Sequence, residues 1–187
     1  MRRRSTATGS PNSDVTITDR TEDYAYLNVQ GLKSRELLQK ITSADMSNEA
    51  FPFRAAKEIS IKGTPLRAVR ITYVGELGYE LYVPKDKAVE VFDEIMEKGE
   101  ELVLVGLQAL GSLRLEKGYR DYSHDLDNTD TLIEAGLGFT ADMKKPGGFI
   151  GKEHVASERS RNKARGGMTK RMVSVTCKVA GCYLHHG

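Results

Sequence analysis

From Tyr24 to Gln30 the chain reads Y-A-Y-L-N-V-Q, an alternation that places Ala25, Leu27 and Val29 on one face. Such a period of two predicts a half-buried strand. Gly31 breaks it, and Leu32 to Ile41 follows as a short helix with Leu37, Leu38 and Ile41 on one stripe. A loop from Thr42 to Phe53 ends on Phe51-Pro52-Phe53, two rings that suit either a core plug or a ligand platform. Lys57 to Ile61 predicts a strand, Lys62 to Pro65 a turn, and Leu66 to Tyr73 the next strand, with Val69, Ile71 and Tyr73 on one face. Gly75-Glu76-Leu77-Gly78 supplies residues for a tight reversal. Tyr79 to Val83 then returns as a strand, with Glu80 and Tyr82 opposite Tyr79, Leu81 and Val83.

Further on the period changes from two to 3.6. Lys85 to Lys98 is predicted helical through Ala88, Val89, Phe92, Ile95 and Met96, with Asp86 as N-cap and Gly99 as terminator. Gly106 to Lys117 is a second helix, expected to bury Leu107, Leu110 and Leu113. Asp121 to Asp130 is an acidic loop, Thr131 to Gly136 one helical turn, and Leu137 to Ala141 a strand. Phe149 to about Ser160 reads as a weaker helix. Ser157 to Lys170 reads as a basic linker by its composition and its Gly166-Gly167 pair, and Arg171 to Lys178 as the start of a strand.

Composition adds limits. With 39% apolar and 29% charged residues the chain of 187 is ordinary for a globular protein, and a net charge of +2 gives no general attraction to polyanions. Basic residues gather at Arg2–Arg4 and between Arg159 and Arg171, without the interleaved aromatics of a nucleic-acid surface. No run approaches the roughly 18 apolar residues of a membrane span. Cys177 and Cys182 both sit near the end, so no disulfide framework is expected, and a reducing compartment fits. The first thirteen residues are rich in Arg, Ser and Thr and contain no acid, the composition of an organelle transit peptide and also of an ordinary tail.

Three residues invite chemistry. Glu80, a carboxylate just past a glycine turn among aromatics, suits the two parallel N–H donors of a 2-amino-4-oxopyrimidine edge; it suits equally the polar face of a surface hairpin. Arg114 lies among Leu110, Leu113 and Leu115 and needs a polar partner there, either a ligand or an ion pair with Glu116 or another acid. Tyr73 either packs or faces a ligand. The tail histidines His185 and His186 with the two cysteines match no metal spacing, and His124 has no nucleophile elbow. Neither a G-x-G-x-x-G turn nor a Walker sequence is present.

Four motifs in order carry a resemblance: Y-V-G-E-L-G-Y-E (Tyr73 to Glu80), S-L-R-L-E-K-G-Y-R (Ser112 to Arg120), L-I-E-A-G-L-G-F (Leu132 to Phe139) and F-I-G-K-E (Phe149 to Glu153). Together they resemble the folate-binding domain of the glycine-cleavage aminomethyltransferase family. E-K-G-Y-R, N-V-Q-G-L-K-S-R-E-L-L (Asn28 to Leu38) and F-P-F look most like its version at the C-terminus of sarcosine and dimethylglycine dehydrogenases. The resemblance implies an α+β fold of antiparallel and mixed sheet packed with helices, incomplete at both ends. Residues 1–22 would be a disordered or transit-like tail, 23–156 the folate-binding domain, 157–170 a basic linker and 171–187 the start of a truncated small barrel.

It also implies tetrahydrofolate as cofactor. Glu80 would grip the pterin edge, with Tyr73 and Arg114 facing the ligand, to capture a one-carbon unit from N-methyl amine oxidation or aminomethyl transfer as 5,10-methylenetetrahydrofolate. FAD would enter only through a flavin-dependent dehydrogenase partner or a domain supplied elsewhere. Neither nucleic acid nor membrane is an expected partner. The mitochondrial matrix is the implied location, the cytoplasm the alternative. The family's catalytic aspartate has no counterpart among Asp14, Asp19 and Asp23 in a recognisable motif, and Leu132-Ile133-Glu134 departs from the usual proline-containing start. A non-catalytic interaction or regulatory module on the same fold, or an inactive fragment, is the other reading.

Overall fold

The computed structural model describes residues 18–176. Most of the N-terminal tail, both cysteines, His185, His186 and the rest of the expected terminal barrel lie outside the described residues. The chain divides into two compact units: residues up to Thr72 with Leu77–Leu102, and Tyr73–Glu76 with Val103 onward.

In the first unit, β1 (Tyr24–Gln30), β2 (Ala56–Ile61), β3 (Thr64–Val69) and β4 (Gly78–Pro84) form one sheet in the order β1-β4-β3-β2, every neighbouring pair antiparallel. Helices α1 (Ser34–Ile41) and α2 (Ala88–Lys98) pack together and against it. Alternation in β4 works as the pattern predicts: Tyr79, Leu81 and Val83 are wholly buried, while Glu80 and Tyr82 point the other way and are half-buried. With Leu38, Met46, Phe51, Leu66 and Val91 they make the core. Each such side chain contributes about 1.5–3 kcal/mol on leaving water.

Several details differ from expectation. β3 begins and ends early, and buries Thr64, Leu66 and Ala68, which leaves Val69 on the opposite face. It stops where the Ile71 N–H turns back to the Val69 carbonyl at 3.1 Å, an i to i+2 closure that bends the strand away from its ladder. Tyr73 is therefore outside any strand. The β3–β4 connection is the long segment 70–77, not a tight reversal at Gly75–Gly78. The tight turn belongs to β2–β3, where Lys62 (φ 50°) and Gly63 (φ 77°) take the two positive φ angles of a two-residue hairpin loop. Phe51 is buried and Phe53 is 56% exposed, so one ring of the pair is core. α2 is entered through a 3-10 turn at Lys85–Lys87 with no side-chain cap from Asp86. Its buried stripe runs through Val91 and Ile95, and Val89 is exposed.

The second unit contains α3 (Leu107–Glu116) and α4 (Lys152–Arg165) joined by turns and a 3-10 segment at Gly138–Thr140, where the sequence predicts a strand. Leu107, Leu113 and Leu115 of α3 are exposed, and its one buried residue is Arg114. Val74, Ala135 and Val155 are the buried apolar residues of this unit among those described, so polar contacts carry much of its structure. α4 continues through Ser157–Arg165, a stretch whose composition predicts a linker. Charged side chains serve a solvated helix as well as a coil, and Glu158 is buried there, accepting from the Thr131 hydroxyl at 2.7 Å. Gly166 and Gly167 close the helix onto the carbonyls of Lys163 and Asn162. Residues 171–176 form no strand, although the Met172 N–H donates to the Glu134 carbonyl at 2.8 Å. No described helix is long and apolar enough to cross a membrane.

Candidate functional site

Glu80 sits in the middle of β4, on the sheet face turned away from the core. Its direct cross-strand neighbours are Asn28 of β1 and Val69 of β3. One step along, Tyr82 lies between Tyr26 and Arg67. Residues paired across antiparallel strands share a face, so register gathers Tyr26, Asn28, Glu80 and Tyr82 on one surface. The Tyr82 hydroxyl donates to Glu80 Oε2 at 3.0 Å, and the Tyr26 and Tyr82 rings meet edge to face with centroids 5.6 Å apart. Burial and then the nearby Glu80 carboxylate push the Tyr26 phenol well above its ordinary range; for Tyr82 the hydrogen bond to Glu80 leads and burial follows.

At the end of this row Gln30 pairs with Gly78. The Gln30 amide donates to Asn28 Oδ1, and its Oε1 is buried without a partner. A Cβ on Gly78 would lie 2.0 Å from that oxygen, which is why this position carries no side chain. A carboxylate offers about four acceptor sites, and the Tyr82 donor on Oε2 leaves about three. The Glu80 group therefore fits a ring edge that presents paired N–H donors, as an amino-oxo-pyrimidine does.

Arg114 and Tyr73 belong to the second unit. Arg114, in the last turn of α3, is 6% exposed. Its Nη1 pairs with Asp125 Oδ2 and donates to the Tyr119 carbonyl at 3.1 Å; Nη2 donates to Asp125 Oδ1 at 3.2 Å. This is the two-pronged guanidinium–carboxylate fork. The acid is Asp125, not Glu116, brought back by a turn in which Ser123 adopts φ 80° and the Asp125 and Leu126 N–H groups bond to the Asp121 carbonyl. Burial would lower the Arg114 guanidinium and raise the Asp125 carboxyl. The fork outweighs burial on both sides, helped at Asp125 by the Asp121 N–H at 2.9 Å, so Arg114 is raised and Asp125 lowered. Arg114 Nε is buried without a partner.

Tyr73 faces the same group: burial first, then the Asp121 carboxylate, push its phenol up, while the Arg114 charge opposes them. Lys117, just past α3, pairs with Glu76 and ties the Tyr73–Glu76 segment to the end of that helix. The structure thus brings Tyr73 and Arg114 together with Asp121 and Asp125. Alternation in β4 marks Tyr82 as sharing a face with Glu80, but the sequence does not mark the other neighbours: Tyr26, Asn28 and Gln30 around Glu80, Asp121 and Asp125 around Arg114. Alternation in β1 does put the first three on a polar face, but only register puts them beside Glu80.

The GCVT N-terminal domain family matches residues 1–145. Human mitochondrial sarcosine dehydrogenase is 40% identical over 166 residues, covering 88% of this chain and 18% of that protein. Human mitochondrial dimethylglycine dehydrogenase is 35% identical over 165 residues, 87% of this chain and 18% of its own length. The aminomethyltransferase of Halothermothrix orenii is 36% identical over 176 residues, 93% of this chain and 47% of that enzyme. The chain spans less than half the length of each of these relatives. A match over most of its length, on a fold whose sheet and helices follow the expected α+β plan, makes this chain a member of the GCVT N-terminal domain family.

Proposed function

We propose that this chain binds tetrahydrofolate and serves one-carbon metabolism, taking up the carbon released by N-methyl amine oxidation or aminomethyl transfer. The observation that carries the reading is Glu80: a half-buried carboxylate on an outward sheet face, held by a tyrosine hydroxyl, with acceptor sites left for a paired donor edge. Glu80 takes the amino-oxo edge of the pterin. Tyr73 and Arg114 are further folate contacts, supported by the polar cluster they share and by the unpartnered Arg114 Nε. Bound folate supplies the amine nitrogen that accepts the one-carbon unit, which leaves as 5,10-methylenetetrahydrofolate. The chain's own residues bind and orient the ring, so its contribution is position and charge. Oxidation of the amine falls to a flavin-dependent dehydrogenase partner or domain, in keeping with the names of the dehydrogenase relatives. Those names also support a mitochondrial location, within which we propose the matrix.

The test is a titration of the purified chain with 5-formyltetrahydrofolate, beside Glu80→Ala. Saturable binding by the parent, weakened at least tenfold in the variant, is expected. A folded sample that does not bind, or equal binding by both, refutes the reading. One observation favours the second reading, a non-catalytic interaction module: Val103, Leu104, Val105 and Leu107 are all exposed in the second unit. A module of that kind would leave 5-formyltetrahydrofolate unbound.

A further inference from the structure

We propose that Tyr82, braced edge to face by Tyr26, is a positioning residue for Glu80: its hydroxyl holds the carboxylate and sets which acceptor sites remain for a ring bearing two adjacent N–H donors. The inference rests on the folate reading above and deepens it. Three facts on one sheet face support it. Tyr26 and Tyr82 are direct cross-strand partners, and their rings lock edge to face at 5.6 Å. The Tyr82 hydroxyl donates to Glu80 Oε2 at 3.0 Å. Glu80 and Tyr82 are two residues apart on β4, so their side chains rise from the same face and the bond needs no backbone adjustment.

A free glutamate on a sheet samples several rotamers, and ordering it on binding costs free energy. The Tyr82 hydroxyl removes part of that cost before the ligand arrives. It also commits this tyrosine donor to Glu80, so the cluster presents acceptors. A ring whose matching edge carries two N–H groups is satisfied there. A dioxo edge, which places a carbonyl oxygen against the carboxylate, is not.

The experiment is a mutant cycle on the full chain, read by calorimetric titration with 5-formyltetrahydrofolate and by urea unfolding. Tyr82→Phe keeps the ring and removes the hydroxyl. It is expected to raise Kd roughly 3- to 10-fold, the weight of one net hydrogen bond, with the urea midpoint unchanged. In a Glu80→Gln background, titrated to millimolar ligand, the same change should move Kd less than about twofold, because the group it positions has been replaced. Tyr24→Phe, on the same strand face, is the control and should stay within about twofold of the parent.

Equal losses in the parent and in the Glu80→Gln background, or no loss at Tyr82 while the parent binds, would overturn the positioning role and leave folate binding standing. A loss at Tyr24 as large as at Tyr82 would do the same. Absence of binding by the folded parent would overturn both at once.

Discussion

Arg114 and Asp125 give the sharpest test of how the second unit holds together. The two halves of this pair are not equally dependent on each other. Removing Asp125 as Asp125→Ala strands a guanidinium that is 6% exposed, with the Tyr119 carbonyl as its remaining acceptor. A buried charge left without its partner costs about 3–5 kcal/mol. Removing the cation as Arg114→Met is milder. The Asp125 side chain is 17% exposed and keeps the Asp121 N–H at 2.9 Å, and methionine fills part of the vacated volume, so about 1.5–3 kcal/mol is expected. Urea unfolding of both variants beside the parent, followed by far-UV circular dichroism, measures the difference. The ionisation sign follows from the same geometry. Asp125 is lowered in the folded protein, so its contribution is complete above the ordinary carboxylate value near 4 and is lost as pH falls through the lower folded value. The parent should therefore lose more stability between about pH 4 and pH 2 than Arg114→Met does. If Asp125→Ala costs less than Arg114→Met, or if both cost under about 1 kcal/mol, the fork is not what holds this region.

Other positions yield narrower expectations. Tyr79 is wholly buried with its ring 5.5 Å from Phe51 and its hydroxyl unpartnered, so Tyr79→Phe should leave stability unchanged or raise it by about 1 kcal/mol in urea unfolding; a loss above that would mean the hydroxyl is satisfied. Gly78→Ala drives a methyl against the Gln30 amide and should cost about 1–2 kcal/mol, most of it recovered by adding Gln30→Ala; lack of recovery would place the strain in the backbone. Phe51→Ala should cost about 3–5 kcal/mol and Phe53→Ala under about 1 kcal/mol, a contrast that thermal and urea unfolding both read.

Period and punctuation in the sequence were enough for the existence and type of most elements in the first unit. Strand alternation at Tyr79–Val83 and at Tyr24–Gln30, and the helical spacing after Ser34 and Ala88, reflect local geometry that any buried sheet or helix must obey. Glu80 was legible as a residue facing away from the core for the same reason. Local pattern failed where the choice depended on what lies opposite. Apolar residues of both parities in Leu66–Tyr73 permit either face of a strand, and pairing with β2 and β4 chose Leu66 and Ala68. Helical spacing picked Val89 beside Ile95, and the position of the sheet selected Val91 instead. On α3 the leucines suggested a buried stripe, yet Arg114 alone is buried, because its partner Asp125 arrives from a turn eleven residues away that no period announces. Tyr26 and Tyr82 are more than fifty positions apart, and only antiparallel register sets them ring against ring beside one carboxylate. Short-range periodicity is written into consecutive residues; the partner of a charge is decided by chain segments that meet only when the fold closes.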